Sequence, residues 1–320
     1  MAGSLQTPMI AMSDITFVGS GLARPECVLT TAKGEVFVGD HHAGIAEIGK
    51  PKRTLTGAPP GFLPNGVTML PTREFLIANL GPGGGVWKLD RDWRLSPWLL
   101  EVEGELLRVC NFVGHERDGV TWISVSTRQY PREKAMRPGF GDGFICRVDG
   151  SGARIAADGI GFTNECRVDP SGRWLYVNET MARCISRLPI DGARLGAKEV
   201  LHRFGPGEFP DGFAFDSEGA AWVACVVSNR VIRVETSGRA TLVLDDGDPA
   251  LIAEAEAIFN RGEGGRAHLE LGAKRPLRNI ASVSFGGPDL KTVYLGCLSN
   301  DRIVSFRSPI AGAEPVCWRY

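Results

Sequence analysis

Residues 165–192 read ECRVDPSGRWLYVNETMARCISRLPIDG, and this stretch decides the fold. It contains a strand-like run, a tight D-P-S-G turn, a second run, a polar loop and a third run. Asp169 opens the turn and Gly172 closes it, which is the order that a tight hairpin turn prefers. Runs rich in β-branched and aromatic residues between such turns are typical of strands. The stretch is therefore predicted to be one small antiparallel sheet.

The same layout returns along the chain. Clear copies occupy residues 212–244 and 282–306, and fainter copies begin near Cys27, Val67 and Phe112. Six units of four short strands, at a period of about 45 residues, are typical of a propeller with one unit per blade. A β-sandwich with insertions would not repeat the same order six times. We therefore predict an all-β chain, a six-bladed β-propeller that forms a single domain over residues 1–320.

Two segments fall outside the repeat. Residues 1–13 are predicted to be a short N-terminal arm, and residues at about 245–279 an insertion between blades five and six. Within the insertion, PALIAEAEAIF at 249–259 has proline at its first position, which favours the start of a helix. We therefore expect a short helical insertion on an otherwise all-β protein.

Composition excludes several classes of function. The formal net charge is −1, so no long-range field favours nucleic acid or an anionic membrane as a partner. No apolar run approaches the roughly 20 residues that a membrane span needs. Residues 1–12 lack the basic region and the apolar run of a secretory signal. We expect a cytoplasmic protein, in which the eight cysteines are buried free thiols and not a disulfide framework.

Carboxylate and carboxamide side chains recur just before the predicted innermost strands. They are Glu26, Asn65, Asn111, Asn164 and Asp211, each about one blade of roughly 45 residues from the next. Innermost strands of a propeller start near one face of its central channel, so these side chains are predicted to point at a common centre. An all-oxygen ring of this kind suits a hard divalent cation, whose charge two carboxylates balance. The alternative is that these residues only serve turns, but turn residues would not need to keep phase with the inner strand.

Two of these positions lie in longer tracts that carry a family resemblance. The tract TNECRVDPSGRWLYVNET at 163–180 resembles the blade-four motif of the gluconolactonase and regucalcin (senescence marker protein) family, and FPDGFAFDSEGAAWVA at 209–224 resembles its blade-five motif. The resemblance implies that one divalent metal ion is bound by Glu26, Asn111, Asn164 and Asp211. It favours Ca²⁺, with Zn²⁺, Mn²⁺ and Mg²⁺ as alternatives. The family commonly has Asp-Gly where this chain has Phe112-Val113, so the metal site transfers further than the substrate pocket.

The activity that this resemblance implies is metal-dependent, gluconolactonase-like hydrolysis of a small lactone or ester. The metal would polarise the carbonyl, and Asp211 would be both a ligand and the group that assists attack by water; the alternative is that Asp211 is a ligand only. Predicted substrate-binding residues lie at the mouth of the channel: His41, His42, Asn65, Arg128 and Glu179. Histidine there could act as an acid or base at neutral pH.

The predicted loop at 128–142, RQYPREKAMRPGFGD, is the longest mouth loop and is predicted to be a lid. Its basic residues are Arg128, Arg132, Lys134 and Arg137. They favour a small-molecule substrate with a carboxylate or other anionic group, although a solvated charge run explains them equally well. Polar residues at matching mouth positions favour a sugar-like substrate.

Other functions remain compatible with this pattern. The same metal site could serve isomerisation, hydration or phosphotriester cleavage, and a propeller of this kind could also bind a ligand without catalysis. A complete Glu-Asn-Asn-Asp set favours an enzyme over a binding protein. The chain has no G-x-S-x-G motif, which disfavours a serine-nucleophile esterase.

Overall fold

The computed structural model describes residues 9–320, so the first eight residues of the predicted N-terminal arm lie outside the described range. Strands of the first three blades are as follows: blade one has β2 (Val28–Thr30), β3 (Val36–Asp40) and β4 (Gly44–Glu47); blade two has β5 (Pro64–Met69), β6 (Phe75–Asn79), β7 (Val86–Leu89) and β8 (Leu95–Leu99); and blade three has β11 (Cys110–His115), β12 (Thr121–Val125), β13 (Gly143–Asp149) and β14 (Gly152–Ile160). A small hairpin, β9 (Glu101–Val102) and β10 (Glu105–Leu106), joins blades two and three.

Strands of the last three blades continue the repeat: blade four has β15 (Thr163–Val168), β16 (Trp174–Glu179), β17 (Cys184–Asp191), β18 (Arg194–Leu195) and β19 (Glu199–Arg203); blade five has β20 (Glu208–Phe215), β21 (Ala221–Val227), β22 (Arg230–Val234) and β23 (Ala240–Asp245); and blade six has β24 (Ile280–Gly286), β25 (Thr292–Cys297), β26 (Ile303–Arg307) and β1 (Thr16–Val18). The predicted six-bladed propeller is confirmed. Every strand pair within these blades is antiparallel, so each blade is a meander that starts at the channel and ends at the rim.

The N-terminal segment closes the ring. Strand β1 pairs antiparallel with β26, so that Phe17 lies opposite Val304 and blade six contains strands from both ends of the described chain. Ile10 is also buried, and its backbone N–H donates to Val243 of blade five at 2.8 Å. The described part of the predicted arm is therefore held against blades five and six. This pairing ties the start of the described chain to its last blade and so holds the ring of blades together.

Apolar side chains between neighbouring blades form the core. Strand β21 is buried along its whole length, and Trp222 from this strand packs edge-on against Phe285 of blade six, with ring centroids 5.2 Å apart. All eight cysteines are buried as free thiols, as predicted. Within residues 9–320, no helix has the length and apolar character needed to cross a membrane.

The predicted insertion contains two helices, α1 (Pro249–Asn260) and α2 (Arg266–Leu269), followed by a single-turn 3-10 helix at Glu270–Lys274. Asp248 caps α1 by accepting hydrogen bonds from Ala250 and Leu251, which satisfies two of the backbone donors that every helix leaves free at its start. The predicted helix at 249–259 is confirmed within one residue. Three further 3-10 turns, at Met12–Asp14, Arg132–Ala135 and Val316–Arg319, lie before β1, in the predicted lid loop and near the C-terminus.

Irregular pairing at the start of the inner strands explains how the ring residues reach the channel. The register of the inner strand against its neighbour shifts between Pro64 and Val67, Cys110 and Phe112, Thr163 and Cys166, and Pro210 and Phe213. Asn65, Asn111, Asn164 and Asp211 all lie within these shifts. A bulge re-aims the side chain of the extra residue away from the regular alternation of the strand. Local β-bulges therefore turn one polar side chain per blade out of the sheet pattern.

Glycine follows the ring residue in two blades because the inner strands approach each other closely there. A Cβ atom on Gly66 would lie 2.6 Å from the Cα of Phe112. A Cβ atom on Gly212 would lie 2.6 Å from Oε1 of Glu165 and 2.7 Å from the carbonyl oxygen of Ala281. Any side chain at either position would push neighbouring blades apart at the mouth of the channel.

Candidate active site

The four predicted metal ligands are buried at the bulged end of the channel. Glu26, Asn111, Asn164 and Asp211 each have less than a tenth of their surface exposed, and so does Asn65. Glu26 precedes β2; Asn65, Asn111 and Asn164 are the second residues of β5, β11 and β15, and Asp211 is the fourth residue of β20. The spacing argument thus placed five polar residues at equivalent positions of five blades.

One arc of contacts links blades one, two and three. Arg24 Nη1 lies 2.6 Å from Glu26 Oε2 and donates a hydrogen bond to Asn65 Oδ1 at 3.0 Å. Asn65 Nδ2 donates in turn to the backbone oxygen of Asn111 at 2.9 Å and lies 3.4 Å from its Oδ1. Arg24 has a φ of 51°, in the left-handed region, which costs a non-glycine residue free energy and recurs at functional sites. This arc holds Glu26, Asn65 and Asn111 side by side.

A second arc links blades four and five. Asn164 Nδ2 donates to Thr180 Oγ1 at 3.0 Å, and the Thr180 hydroxyl donates to the carbonyl oxygen of Pro210 at 2.8 Å. Asn178 Nδ2 donates to the carbonyl oxygen of Asp211 at 2.8 Å. These bonds fix the orientation of the Asn164 amide, whose Oδ1 is left to face away from Thr180.

The pKa of Asp211 depends on charged groups from both arcs. Burial raises the pKa of Asp211 well above its ordinary value, and the nearby carboxylates of Glu26 and Glu165 raise it further. Arg24 and a hydrogen bond from Asn164 act in the opposite direction but do not outweigh these effects. Two carboxylates that share a buried site without enough positive charge repel each other. A cation bound between Glu26 and Asp211 would relieve this repulsion.

Two side-chain oxygen atoms at the site accept no hydrogen bond. Glu26 Oε2 and Asn164 Oδ1 are both buried and accept no hydrogen bond from any residue in the range 9–320; the contact of Glu26 Oε2 with Arg24 is a charge contact without hydrogen-bond alignment. Buried acceptors are normally paired with a donor or coordinate a metal. In the same part of the chain, no three His, Cys, Asp or Glu side chains group together in a way that could hold a metal. A metal here would depend on amide oxygens as well as carboxylates, and the residues present fit a hard cation.

The two predicted mouth histidines differ in their surroundings. Both lie in the turn between β3 and β4, held by Asp40, whose Oδ1 accepts from the backbone N–H groups of His42 and Ala43. His42 is exposed. His41 is half-buried, and its Nε2 is buried without a hydrogen-bond partner among residues 9–320. Burial and the Arg24 guanidinium lower the pKa of His41 to about 4, so its imidazole is neutral at pH 7 and can either donate or accept one hydrogen bond.

Arg128 and Glu179 already have partners within the protein. Arg128 forms two hydrogen bonds with Asp158, at 2.8 and 2.9 Å, and a third with Glu105 at 3.1 Å. Since Asp158 lies on β14, the outermost strand of blade three, the guanidinium is directed toward the rim. Burial alone would raise the pKa of Glu179, but hydrogen bonds from Ser186, Lys198 and the backbone of Gly161 outweigh this effect and lower its pKa.

The predicted lid loop and the insertion pack on each other. Ala135 and Met136 of the loop share a buried apolar cluster with Phe259 of α1 and Leu271 of the insertion. A Cβ atom on Gly264 would lie only 1.9 Å from the carbonyl oxygen of Met136, so the two segments are in direct backbone contact. Sequence patterns did not indicate this partnership, because the contacts join segments more than one hundred residues apart.

Two residues of the site were missed from the sequence. Arg24 was missed because a lone arginine in a loop has no periodic signal; its place two residues before Glu26 is the only feature that could have drawn attention to it. Thr180 was missed because its role depends on a contact with Asn164, sixteen residues away. Both act by holding predicted ring residues in place.

A cavity of about 570 Å³ opens at the other end of the channel. Its wall includes Phe112, Glu116 and Arg167, and the C-terminal segment around Cys317 lies beside it. Arg167 is paired with Glu165 at 2.9 Å, and burial raises the pKa of Glu116 to about 7. This cavity contains none of the predicted site residues, so the bulged end of the channel remains the candidate active site.

Comparison with known proteins identifies a family and a curated relative that shares part of its sequence with this chain. The family model described as SMP-30/Gluconolactonase/LRE-like region matches residues 29–245. A 6-deoxy-6-sulfogluconolactonase from Pseudomonas putida is 30% identical over 157 residues, which are 48% of this chain and 44% of that protein. The match thus spans less than half the length of this curated relative.

Solved structures with the same fold cover nearly the whole chain. A calcium-binding protein, regucalcin, from Agrobacterium tumefaciens is 18% identical, with a TM-score of 0.66 over 98% of this chain and all of that one. A gluconolactonase from Xanthomonas campestris is 14% identical, with a TM-score of 0.66 over 96% of each chain. At these identities the likeness shows a common fold alone.

Proposed function

Because the chain belongs to the SMP-30/gluconolactonase/LRE-like family, we propose that it is a hydrolase of a small, sugar-like lactone or ester that depends on one divalent metal ion. The observation that carries this proposal is a pair of buried oxygens at the mouth, Glu26 Oε2 and Asn164 Oδ1, which accept no hydrogen bond from the described residues. Arg24 contacts Glu26 Oε2 as a charge at 2.6 Å, and Asn164 Oδ1 has no such contact. Family membership supports the reaction class, and the curated relative is a lactonase by name.

Glu26, Asn111, Asn164 and Asp211 would hold the metal. The two carboxylates balance its charge and the two amides complete the set without adding to the negative charge. Ca²⁺ is the first candidate because the donors are all oxygen, and Mn²⁺, Mg²⁺ and Zn²⁺ are the alternatives. When bound there, the ion supplies a Lewis acid that polarises the lactone carbonyl and stabilises the negative charge that develops on its oxygen.

Asp211 is the proposed catalytic residue. Its carboxylate orients a water molecule toward the lactone carbonyl carbon and takes a proton from it as the new C–O bond forms. The ring C–O bond then breaks and the departing ring oxygen takes up a proton. The lactone is thereby opened to a single hydroxy acid. The backbone of Asp211 is held by Asn178, which keeps the carboxylate at a fixed position.

Mouth residues would bind the rest of the substrate. The neutral imidazole of His41 offers a hydrogen bond to a sugar-like hydroxyl, and the exposed His42 lies next to it. Asn65 stays a prediction as a substrate ligand, because its amide already bonds Arg24 and Asn111. Arg128 and Glu179 stay predictions as substrate ligands, and each would first have to give up its present partners.

The experiment is hydrolysis of D-glucono-1,5-lactone and a panel of related lactones by protein stripped with a chelator and then supplied with one metal at a time. We expect no turnover above the spontaneous rate in the stripped protein and full recovery with a single metal species. Asp211→Asn should be inactive with every metal, whereas Asp191→Asn, at an exposed position on blade four, should behave like the wild type. Lactone hydrolysis that survives complete removal of metal would overturn the proposal.

A further inference from the structure

Arginine side chains lie at the mouth of the channel in addition to the two carboxylates that would balance a divalent metal ion. Glu26 and Asp211 together would balance a divalent cation, and the deeper Glu165 is already paired with Arg167. Arg24 lies directly beside this set, and Arg132 and Arg266 are near enough to influence the charges around it. With the metal bound, these guanidinium groups would leave the mouth with a net positive charge.

Arg132 is the residue that most needs explanation. It is half-buried, and its guanidinium forms no hydrogen bond or ion pair with any side chain in the described range 9–320. Burial lowers its pKa and the charge of Arg24 lowers it further; the carboxylates of Glu133 and Glu26 act in the opposite direction but do not outweigh these effects. Burying a cation without a partner costs free energy. A ligand that brings a negative charge to Arg132 would offset this cost and bind favourably.

The chain builds this position from its two non-repetitive segments. Arg132 begins the 3-10 turn at Arg132–Ala135 of the lid loop, and this turn is anchored because Ala135 is buried against the insertion. Arg266 begins helix α2 of the same insertion; it is exposed and already bonded to Glu270, so it adds to the field and not to direct contact. Arg132 is thus held at the mouth by packing, although no polar contact of its own holds it there.

Arg24 is the second cation of the group. It contacts Glu26, which is one of the proposed metal ligands. A cation that takes up this carboxylate competes with Arg24 for it. The Arg24 guanidinium would then share Glu26 with the metal and keep its hydrogen bond to Asn65, while Arg132 forms no hydrogen bond or ion pair within the described residues.

We infer that Arg132, assisted by Arg24, recognises an anionic group on the lactone, a carboxylate or sulfonate carried by the part of the molecule remote from the ring carbonyl. This inference rests on the proposed lactone hydrolysis and names its substrate class. Arg132 determines specificity and takes no part in the bond-breaking step. Two planar guanidinium groups suit the oxygens of such an anion, to which arginine donates charge-assisted hydrogen bonds.

The test compares matched lactones on the metal-loaded protein. D-Glucono-1,4-lactone ends in a hydroxymethyl group and D-glucaro-1,4-lactone in a carboxylate, and a 6-deoxy-6-sulfogluconolactone supplies the sulfonate. We expect kcat/KM for at least one charged lactone to exceed that for the neutral one by ~10-fold or more, mainly through KM, because charge-assisted contacts strengthen binding. The faster of the two charged lactones assigns the anionic group.

Arg132→Gln should reduce this preference to a ratio near one. The control is Lys134→Gln, two residues away on the same loop at an exposed position, which should keep the wild-type preference. A wild type that does not distinguish charged from neutral lactones, or an Arg132→Gln variant that keeps the wild-type ratio, would overturn the inference.

A binding measurement separates this inference from the proposed reaction. Calorimetric titration of the metal-loaded protein with D-glucarate and D-gluconate compares a dianion with a monoanion of the same size. We expect glucarate to bind ~10-fold more tightly or better, and Arg132→Gln to abolish the difference. If this holds and no lactone is hydrolysed, the anion site stands and the proposed reaction fails; if lactones are hydrolysed and glucarate has no advantage, the reaction stands and the anion site fails.

Discussion

Two buried aspartates belong to the inner strand of blade five, Asp211 in the bulge of β20 and Asp216 just after its last residue, and their surroundings are opposite. Asp216, just past the outer end, accepts hydrogen bonds from the backbone of Glu218 and Ala220, from Trp222 Nε1 at 3.0 Å and from Arg233 Nε at 2.7 Å. Asp211, at the channel end, has like charges near it and a pKa raised by burial and by those charges.

The difference teaches how to tell a structural acid from a functional one when both are buried. Asp216 opens a hairpin turn and has a partner for each oxygen, so its charge stabilises the fold. Asp211 lies in a bulge, and burial together with the charges of Glu26 and Glu165 raises its pKa more than Arg24 and Asn164 lower it. The same residue type therefore stabilises the blade at Asp216 and is available for chemistry at Asp211.

The largest expected effect comes from replacing Asp211. Asp211→Asn keeps the size of the side chain but removes a ligand charge and the proton acceptor, so kcat should fall by roughly 10³-fold or more. Its free energy of unfolding without metal should be equal to or higher than that of the wild type, because a repulsive charge is lost. Kinetics with chemical denaturation measures both, and a fully active Asp211→Asn would remove this residue from the mechanism.

The same substitution at the other end should act on stability. Asp216→Asn removes the negative charge that Arg233 and Trp222 contact, and breaking a buried pair of this kind should cost about 3 kcal/mol of the free energy of unfolding. The fraction that remains folded should keep wild-type kcat. Loss of kcat in folded Asp216→Asn, without loss of stability, would erase the distinction between the two ends.

A smaller effect is expected from a residue that supports the ring. Thr180→Val keeps the shape of the side chain but removes the hydroxyl that orients the Asn164 amide. Residues that orient a metal ligand typically change metal affinity by about 10- to 100-fold, and a shift near the lower limit is expected here. Metal titration by calorimetry measures it, and an unchanged affinity would mean that Asn164 does not need this support.

The smallest effect is in the pH dependence of stability. Because the folded-state pKa of Asp211 lies above the unfolded value, the metal-free folded protein binds this proton more readily, and the corresponding stabilisation is lost as pH rises through the folded pKa. Asp211→Asn lacks this dependence. The melting temperature of the variant relative to the wild type, measured in chelator, should therefore increase from pH 5 to pH 8; a difference that does not vary with pH would contradict the assigned charge crowding.

Much of the architecture could be predicted from local signals. The D-x-x-G turns place Gly172 and Gly219 at φ values of 72° and 82°, where glycine is favoured, and these turns mark the hairpins of successive blades. The proline at position 249 predicted the start of the helix at 249–259. Such features depend on residues close in sequence, so they can be read without knowledge of the fold.

Features that depend on distant contacts could not be predicted. The partners of Arg128, which are Asp158 and Glu105, come from an outer strand and a small hairpin that no pattern connects to it. The packing of the lid loop against the insertion is a long-range contact of the same kind. The phase of the ring residues was readable because it repeats, whereas their neighbours, such as Arg24, occur once.

The central claim is that side chains from separate blades meet around a divalent cation at the bulged end of the channel. Crystals grown with Mn²⁺, and data collected for an anomalous difference map, test it directly. The account predicts a single strong peak in contact with the side-chain oxygens of Glu26, Asn111, Asn164 and Asp211. A map with no peak at the mouth under saturating Mn²⁺, or with a peak bound by other residues, would contradict it.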